Sequence, residues 1–241
     1  MIRTVFWWSI FLPSTVVFSL LATAAGVFDR SGDTSHNLNR LWARIAMTAS
    51  GCRVTVKGIE NLPLDEGQII VANHQSGFDI YTLTAYLPLQ IRWIAKECLF
   101  KIPILGRGMK ASGYISINRD NPKKALKALR EAAENIKKGR TIVIFPEGTR
   151  SHDGELLEFK KGVFHIAKKA KCPIIPLTID GTFNIMHRST FHLNPHPVHI
   201  TIDRPLSFRE VRSKSEDGLL ADIKGLIQRN LDSRKDRPVS R

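Results

Sequence analysis

A histidine and an aspartate stand five residues apart, directly after an apolar run. His74 and Asp79 follow Gln68–Ala72, which has the composition of a buried strand. The spacing does not suit one helix face, where partners lie three or four residues apart. It favours a histidine in a tight turn, Gln75-Ser76-Gly77, and an aspartate in the first turn of the next helix. A carboxylate on one ring nitrogen leaves the other to accept a proton, so the pair predicts a general base. The alternative is a half-buried histidine beside a helix-capping aspartate.

A second polar loop follows another apolar run, Thr141–Ile144. The planar guanidinium of Arg150 suits a phosphate, and backbone amides with the Thr149 hydroxyl would add donors. The glycine and lysine spacing of a nucleotide-binding P-loop is absent. The alternative is a turn with an exposed ion pair. Pro146 and Gly148 break the strand into this loop.

Two further segments complete an ordered set of motifs. Lys96–Gly106 with Gly113–Arg119 lies between the two loops, and Ile174–Leu177 follows them. With His74–Asp79 and Phe145–Ser151, these blocks resemble the lysophospholipid acyltransferase superfamily, and within it the bacterial 1-acyl-sn-glycerol-3-phosphate acyltransferases. The resemblance covers roughly residues 50 to 210. One departure is Asn118, where many members carry aspartate before the arginine.

The resemblance implies transfer of a fatty acyl group from a thioester to the sn-2 hydroxyl of 1-acylglycerol 3-phosphate, giving phosphatidic acid for phospholipid synthesis. His74 would act as general base and Asp79 would hold its imidazole. We expect direct transfer without a protein nucleophile. Ser76 lies close in sequence, but the Gly-x-Ser-x-Gly elbow of serine hydrolases is absent.

The resemblance also implies how the substrates bind. Arg119 and Arg150 would hold the phosphate, with Lys96 as a third candidate. A surface ion pair is the alternative for each of these charges, and for Lys96 it explains the charge as well as substrate binding does. Glu147 would hold the glycerol hydroxyl or orient an arginine. The complete substrate-binding set is Lys96, Arg119, Glu147, Gly148, Thr149 and Arg150.

An apolar groove for the acyl chain is expected between the first two blocks. The same side chains would also suit an ordinary core or a membrane contact. The candidates are Leu83, Leu87, Leu99, Phe100, Ile102, Ile104, Leu105 and Met109.

The net charge of +14 over 241 residues calls for an acidic partner. No zinc-finger, homeodomain or RNA-binding signature is present, so we expect no nucleic acid. An anionic membrane surface, a phosphorylated substrate or an acidic carrier protein fits the charge. Cys52, Cys98 and Cys172 form neither a disulfide framework nor a metal-ligand pattern, which favours a reducing compartment.

The N-terminal segment carries no charge from Thr4 to Phe28 and is long enough to span a bilayer. Three interpretations remain open: a spanning helix, a helix within one leaflet kinked near Pro13, and a signal peptide cleaved near Ala22-Thr23-Ala24. Trp7 and Trp8 suit a membrane interface. The next segment, 38–49, is amphipathic and would be either interfacial or packed against the domain.

Beyond residue 50, apolar runs alternate with helical patterns, which predicts an α/β fold. We expect a mostly parallel central sheet flanked by helices, with an N-terminal helical membrane-anchoring segment. The predicted domains are membrane-associated helices at 1–50, an acyltransferase catalytic domain at 51–231 and a flexible tail at 232–241. Strands are predicted at 54–57, 68–72, 91–95, 113–118, 141–145, 174–179 and 198–202, and helices at 79–87, 122–138, 160–170 and 216–231.

Several alternatives remain open. The acceptor would otherwise be lyso-ornithine lipid, glycerol 3-phosphate or another lysophospholipid, and a non-catalytic membrane-binding protein is a different class. A metal enzyme using His74, Asp79 and His165 lacks a compact ligand spacing, so no metal or other cofactor is expected. The donor, acyl carrier protein or coenzyme A thioester, is not distinguished. Such cytosolic donors predict the cytoplasmic face of the inner membrane.

Overall fold

The computed structural model describes residues 1–187 and 189–235. Within these ranges, the apolar runs form seven strands, each close to its predicted position. They are β1 (Val54–Lys57), β2 (Gln68–Ala72), β3 (Ile91–Lys96), β4 (Ile115–Ile117), β5 (Thr141–Ile144), β6 (Ile174–Asp180) and β7 (Val198–Ile202).

The helices pack on both faces of the sheet. The first face is covered by α1 (Ile2–Phe28), α2 (Asp33–Ser50) and α3 (Phe78–Tyr86). A short α4 (Leu105–Ala111) follows a 3-10 turn at Glu97–Lys101, and a second such turn lies at Ile59–Asn61. The remaining helices are α5 (Pro122–Lys137), α6 (Gly162–Ala170), α7 (Thr182–Ile185), α8 (Phe208–Ser213) and α9 (Glu216–Lys235), of which α5, α6, α8 and α9 cover the second face.

The strand order is β1-β7-β6-β2-β5-β3-β4, and every neighbouring pair is parallel except β6 with β7. This confirms the predicted α/β fold with a mostly parallel sheet. The β6–β7 connection runs over residues 181–197, and the only helix in its described part is the four-residue α7. This connection therefore lacks the crossover helix that usually joins parallel strands.

The central strand β2 shows why the strands read as continuous apolar runs. All its residues are buried, and successive side chains point to opposite faces. Ile70 and Ala72 pack in the core beneath α1–α3, whereas Ile69 and Val71 pack beneath α5, α6, α8 and α9. Burial on both faces is the signature of a parallel sheet covered by helices.

The N-terminal helix is part of the domain core. The Trp7 side chain is only 1% exposed, and its ring stacks on Phe11 with centroids 4.3 Å apart and lies 5.2 Å from Phe78 of α3. Its indole Nε1 donates to the Ala46 carbonyl of α2 at 2.9 Å. The interfacial position predicted for Trp7 is therefore wrong, because the ring fills the space between α2 and α3. Trp8 donates to the Phe191 carbonyl.

Other faces of α1 present apolar side chains to the outside. By length and composition this helix is able to cross a membrane. In α2, by contrast, Ala43, Ala46 and Met47 are fully buried, so the apolar face of this helix packs against the domain. The exposed apolar residues of α1 include Ile2, Val5, Phe6, Leu12, Val16, Val17, Leu20, Leu21, Val27 and Phe28.

Some boundaries differ from the predicted ones. The strand predicted at 113–118 shortens to Ile115–Ile117, because Gly113 has a φ of +68°, outside the extended region. Helix α9 continues to Lys235 instead of ending at 231, so the first residues of the predicted tail are helical. The rest of that tail, 236–241, lies outside the described residues.

Candidate active site

The polar loops predicted from the sequence meet at one edge of the sheet. Strands β2, β5, β3 and β4 are adjacent and parallel, so their carboxyl ends lie side by side. His74 follows β2, Arg150 follows β5, Lys96 ends β3 and Arg119 follows β4. Open parallel sheets bind ligands at the carboxyl ends of their strands, so this edge is the expected place for a site.

His74 and Asp79 form a hydrogen-bonded pair, with Nδ1 of the ring 2.7 Å from Oδ2 of the carboxylate. The same Oδ2 accepts the backbone N–H groups of Gln75 and Ser76 at 2.8 and 2.9 Å. The Thr182 hydroxyl donates to Oδ1, and Asp79 is fully buried. The predicted geometry of a turn histidine and a helix-start aspartate is therefore confirmed. Because both carboxylate oxygens are engaged, the ring is held in one orientation.

The other face of the pair opens to a cavity. The ring of His74 stacks on Phe145, with centroids 4.0 Å apart and planes 9° from parallel. In the neutral ring, donation from Nδ1 to the Asp79 carboxylate leaves the lone pair on Nε2. Nε2 has no hydrogen-bond partner in the described part of the chain, and His74 lines the cavity. Nε2 is therefore the atom able to accept a proton.

Buried hydrogen bonds of two kinds fix the backbone around His74. The side chain of Asn73 pairs with the backbone of Ile179 in β6 through two hydrogen bonds of 2.8 Å. The N–H of Ser151 donates to the His74 carbonyl at 2.9 Å. Asn73, Ser151 and Thr182 were not among the predicted site residues. The sequence offered a signal for two of them: Asn73 directly precedes the His74–Asp79 block, and Ser151 ends the Phe145–Ser151 block.

Glu147 is buried next to the site, and its carboxylate accepts two backbone N–H groups. Its Oε1 accepts the His74 backbone N–H at 2.6 Å, and its Oε2 accepts that of Leu157 at 3.0 Å. The side chain is 4% exposed and does not line the cavity. Burial raises the pKa of this carboxyl group. Among the described residues no arginine pairs with this carboxylate, and Glu147 links the two motif loops.

The Ser76 side chain has a structural role. It is fully buried, and its hydroxyl donates to the Met186 carbonyl at 2.8 Å. It does not line the cavity beside His74. This placement agrees with the expectation that Ser76 is not a nucleophile.

The cavity has a volume of about 580 Å³ and runs from His74 between the sheet and helices α5 and α6. Of the predicted acyl-groove residues, only Leu99 lines it. Leu83 and Leu87 are buried in the core, and α4 packs against α1, with Ala111 beside Gly26. Most of these candidates therefore lie outside this cavity, because strand and helix residues distant in sequence form its wall. The apolar lining includes Ile80, Trp93, Ile94, Ile117, Leu129, Val143, Ile144, Phe145, Val163 and Ile166.

Four cations line the same cavity: Lys96, Arg119, Arg150 and Lys160. Among the described residues, no aspartate or glutamate does so. A Cβ at Gly77 would lie 3.9 Å from Nη1 of Arg150, which places that guanidinium beside the His74 turn. Gly148 and Thr149 also line the wall. The structure therefore brings together all predicted binding residues except Glu147 and adds Lys160.

The metal alternative finds no geometric support at this place. His165 lies on α6, exposed and 3.8 Å from Glu216, and does not line the cavity. Within residues 1–187 and 189–235, no three His, Cys, Asp or Glu side chains are grouped so as to hold a metal ion.

Comparison with known proteins defines the class of protein first. The family model described as Acyltransferase matches residues 53–180, a range that includes His74, Asp79 and Arg150. The chain belongs to this acyltransferase family.

Two relatives show which members of the family the chain resembles in sequence. The chain is 39% identical over 183 residues to the chloroplastic 1-acyl-sn-glycerol-3-phosphate acyltransferase BAT2 of Brassica napus, covering 75% of this chain and 53% of the relative. It is 38% identical over 151 residues to the enzyme of the same name from Helicobacter pylori, covering 60% and 63%. The chain thus spans about half to two thirds of these relatives' lengths.

A solved structure matches almost the whole chain. The crystal structure of the 1-acyl-sn-glycerophosphate (LPA) acyltransferase PlsC from Thermotoga maritima superposes with a TM-score of 0.85 at 29% identity. The match covers 99% of this chain and 97% of that one. The similarity therefore includes the two N-terminal helices as well as the sheet.

Proposed function

We propose that this protein transfers a fatty acyl group from an acyl thioester to the sn-2 hydroxyl of 1-acyl-sn-glycerol 3-phosphate. The observation that carries the proposal is the cavity itself. It presents the free Nε2 of the His74–Asp79 pair to an apolar space that also contains four cations. A lysophosphatidate has an apolar chain, a hydroxyl and a phosphate, and this wall matches each of them. The names of the relatives support the same acceptor.

The chemistry proceeds by direct transfer in a ternary complex. His74 Nε2 takes the proton of the sn-2 hydroxyl as its oxygen attacks the thioester carbonyl. The imidazolium that forms is stabilised by the Asp79 carboxylate, 2.7 Å from Nδ1. The tetrahedral intermediate then collapses and breaks the carbon–sulfur bond, and the imidazolium returns the proton to the leaving thiolate. Acid–base assistance of this kind contributes about 10²- to 10⁴-fold in rate.

The cations Arg119, Arg150 and Lys96 hold the anionic acceptor. Desolvation lowers the pKa of Arg119 below its usual 12.5. A guanidinium nevertheless stays protonated in proteins. The donor is an acyl carrier protein or coenzyme A thioester. No other cofactor enters the proposed reaction.

The membrane supplies the acceptor. Exposed apolar side chains along α1 would contact lipid, and the net charge of +14 favours an anionic surface. We place the protein at the cytoplasmic face of the inner membrane, where the thioester donors are found.

A thiol-release assay tests the proposal. Purified protein is supplied with each donor and with lysophosphatidate, lyso-ornithine lipid or glycerol 3-phosphate in turn. We expect turnover with lysophosphatidate, and none in His74→Ala. A preference for another acceptor would reassign the substrate, and an inactive wild type would support a non-catalytic protein. Covalent acyl-enzyme in a single turnover would exclude direct transfer.

A further inference from the structure

One cation of the cavity belongs to no motif that the sequence singled out. Lys160 lies between β5 and α6, next to Lys161. Lys160 lines the cavity together with His74, whereas Lys161 does not and pairs with Asp217 at 2.9 Å. Two adjacent residues of the same type therefore have different surroundings, which calls for an explanation specific to Lys160.

The side chain of Lys160 lies against Gly148. If Gly148 carried a Cβ, that atom would lie 3.3, 3.2 and 3.1 Å from Cδ, Cε and Nζ of Lys160. Gly148 also has a φ of +75°, in the left-handed region that glycine favours. Glycine at this position thus allows the turn and also leaves space for the lysine stem.

The backbone around Lys160 is fastened to the same loop. Its N–H donates to the Pro146 carbonyl at 2.9 Å. Three residues earlier, the N–H of Leu157 donates to Glu147. The segment leading to Lys160 is therefore tied to the loop that carries Arg150. Such support positions the ammonium group relative to the guanidinium.

The charge of Lys160 has no carboxylate partner within the described ranges. It forms no ion pair within 4 Å there, and the cavity wall around it adds Lys96, Arg119 and Arg150. Like charges gathered on one wall repel one another, and a bound anion would relieve that repulsion. A phosphate oxygen is a strong acceptor for a lysine ammonium.

We infer that Lys160 is a ligand of the acceptor's phosphate and acts beside Arg150. This inference rests on the proposed function. The phosphate would lie over Gly148, where the absence of a side chain lets Lys160 and Arg150 approach from two sides. Because the phosphate is unchanged during acyl transfer, the contact stabilises the bound acceptor and the transition state equally, and its loss raises KM while kcat is kept.

The test uses Lys160→Met, which keeps the stem and removes the charge, with Lys160→Arg and the matched surface control Lys161→Met. For each protein, kcat and KM are measured with lysophosphatidate. Binding of lysophosphatidate and of 1-monoacylglycerol, which lacks the phosphate, is measured by calorimetry in detergent without donor. We expect Lys160→Met to raise KM and Kd for lysophosphatidate about tenfold, in line with a lost charge-assisted hydrogen bond. Monoacylglycerol binding and kcat should stay unchanged, Lys160→Arg should recover most of the affinity, and Lys161→Met should match the wild type.

Three results would overturn the inference. Lys160→Met behaving like Lys161→Met would show that the charge contacts no substrate. Equal weakening of both lipids would show a general structural effect. A fall in kcat at constant KM would place the ammonium at the reacting carbonyl instead. If the wild type binds lysophosphatidate and monoacylglycerol equally and does not turn over, the proposed function itself is refuted, whatever the variants show.

Discussion

Replacing Glu147 distinguishes two possible roles of this residue: a ligand of the substrate, or a residue that positions the general base. Its carboxylate accepts the backbone N–H groups of His74 and Leu157, and the side chain is 4% exposed. Glu147→Ala leaves both donors unpaired in a buried place, at about 1–3 kcal/mol each, or roughly 2–6 kcal/mol together. Glu147→Gln retains one acceptor oxygen and turns an NH₂ toward the other donor, so we expect a loss of about 1–3 kcal/mol.

The effect on activity should follow the position of the histidine. A shift of about 1 Å in a reacting group costs about 10²-fold in rate, so we expect Glu147→Gln to lower kcat strongly and leave the acceptor KM near the wild-type value. Urea unfolding and steady-state kinetics are measured on the same preparations. Glu158→Gln is the matched control, because Glu158 lies in the same segment, is exposed and pairs with Lys224 at the surface. Wild-type stability and kcat with a raised acceptor KM would refute the positioning role and restore the role of substrate ligand.

Further outcomes follow from the same geometry. Asp79→Asn removes the charge that stabilises the imidazolium and should lower kcat about 10²- to 10⁴-fold in the thiol-release assay, with a smaller effect on KM. Arg150→Ala should raise the acceptor KM, whereas Arg204→Ala, which disrupts only a surface pair with Glu210, should not. Cys98 is exposed and lines the cavity, whereas burial raises the pKa of the Cys172 thiol to about 12. A maleimide should therefore label Cys98 first and inhibit turnover. The activity of Cys98→Ser should be unaffected by the same reagent.

The buried His36 predicts a pH dependence of stability. Burial lowers its pKa from 6.5 to about 3, with the charges of Arg92 and Arg40 acting in the same direction. Between these values the unfolded chain binds a proton that the folded chain does not, so stability falls as the pH falls through this window. The slope is about 1.4 kcal/mol per pH unit for one such group. Urea midpoints measured across the window should decrease less steeply in His36→Gln, and an identical slope would refute the assignment to His36.

The fold was largely predictable because its strands are buried on both faces. Segments such as Gln68–Ala72 have only one plausible environment, and all seven strands lie close to their predicted positions. Helices α4, α7 and α8 were not predicted, since each is at most seven residues long and has too little periodicity to detect. The antiparallel direction of β7 depends on the path of its connection, which apolar patterning does not report.

The site was predictable where the residues that interact are close together in the sequence. His74 and Asp79 are joined through a short turn, so their spacing contains most of their geometry. The features that the sequence did not predict depend on long-range placement. Glu147 meets backbone groups 73 and 10 residues away, and the apolar wall combines strands with α5 and α6. Lys160 escaped notice because only the folded chain distinguishes it from Lys161.

The burial of Trp7 bears on how this protein can be handled and altered. A soluble variant made by deleting α1 would lose the ring that contacts Phe11, Phe78 and the Ala46 carbonyl. It would thereby open the hydrophobic core beside the helix that carries Asp79. Solubility would have to come from changing the outward residues of α1, such as Val17 and Leu20, and keeping its inward face. The apolar outer face of α1 and the inner face that completes the core therefore share one segment, and neither can be exchanged between relatives as an independent module.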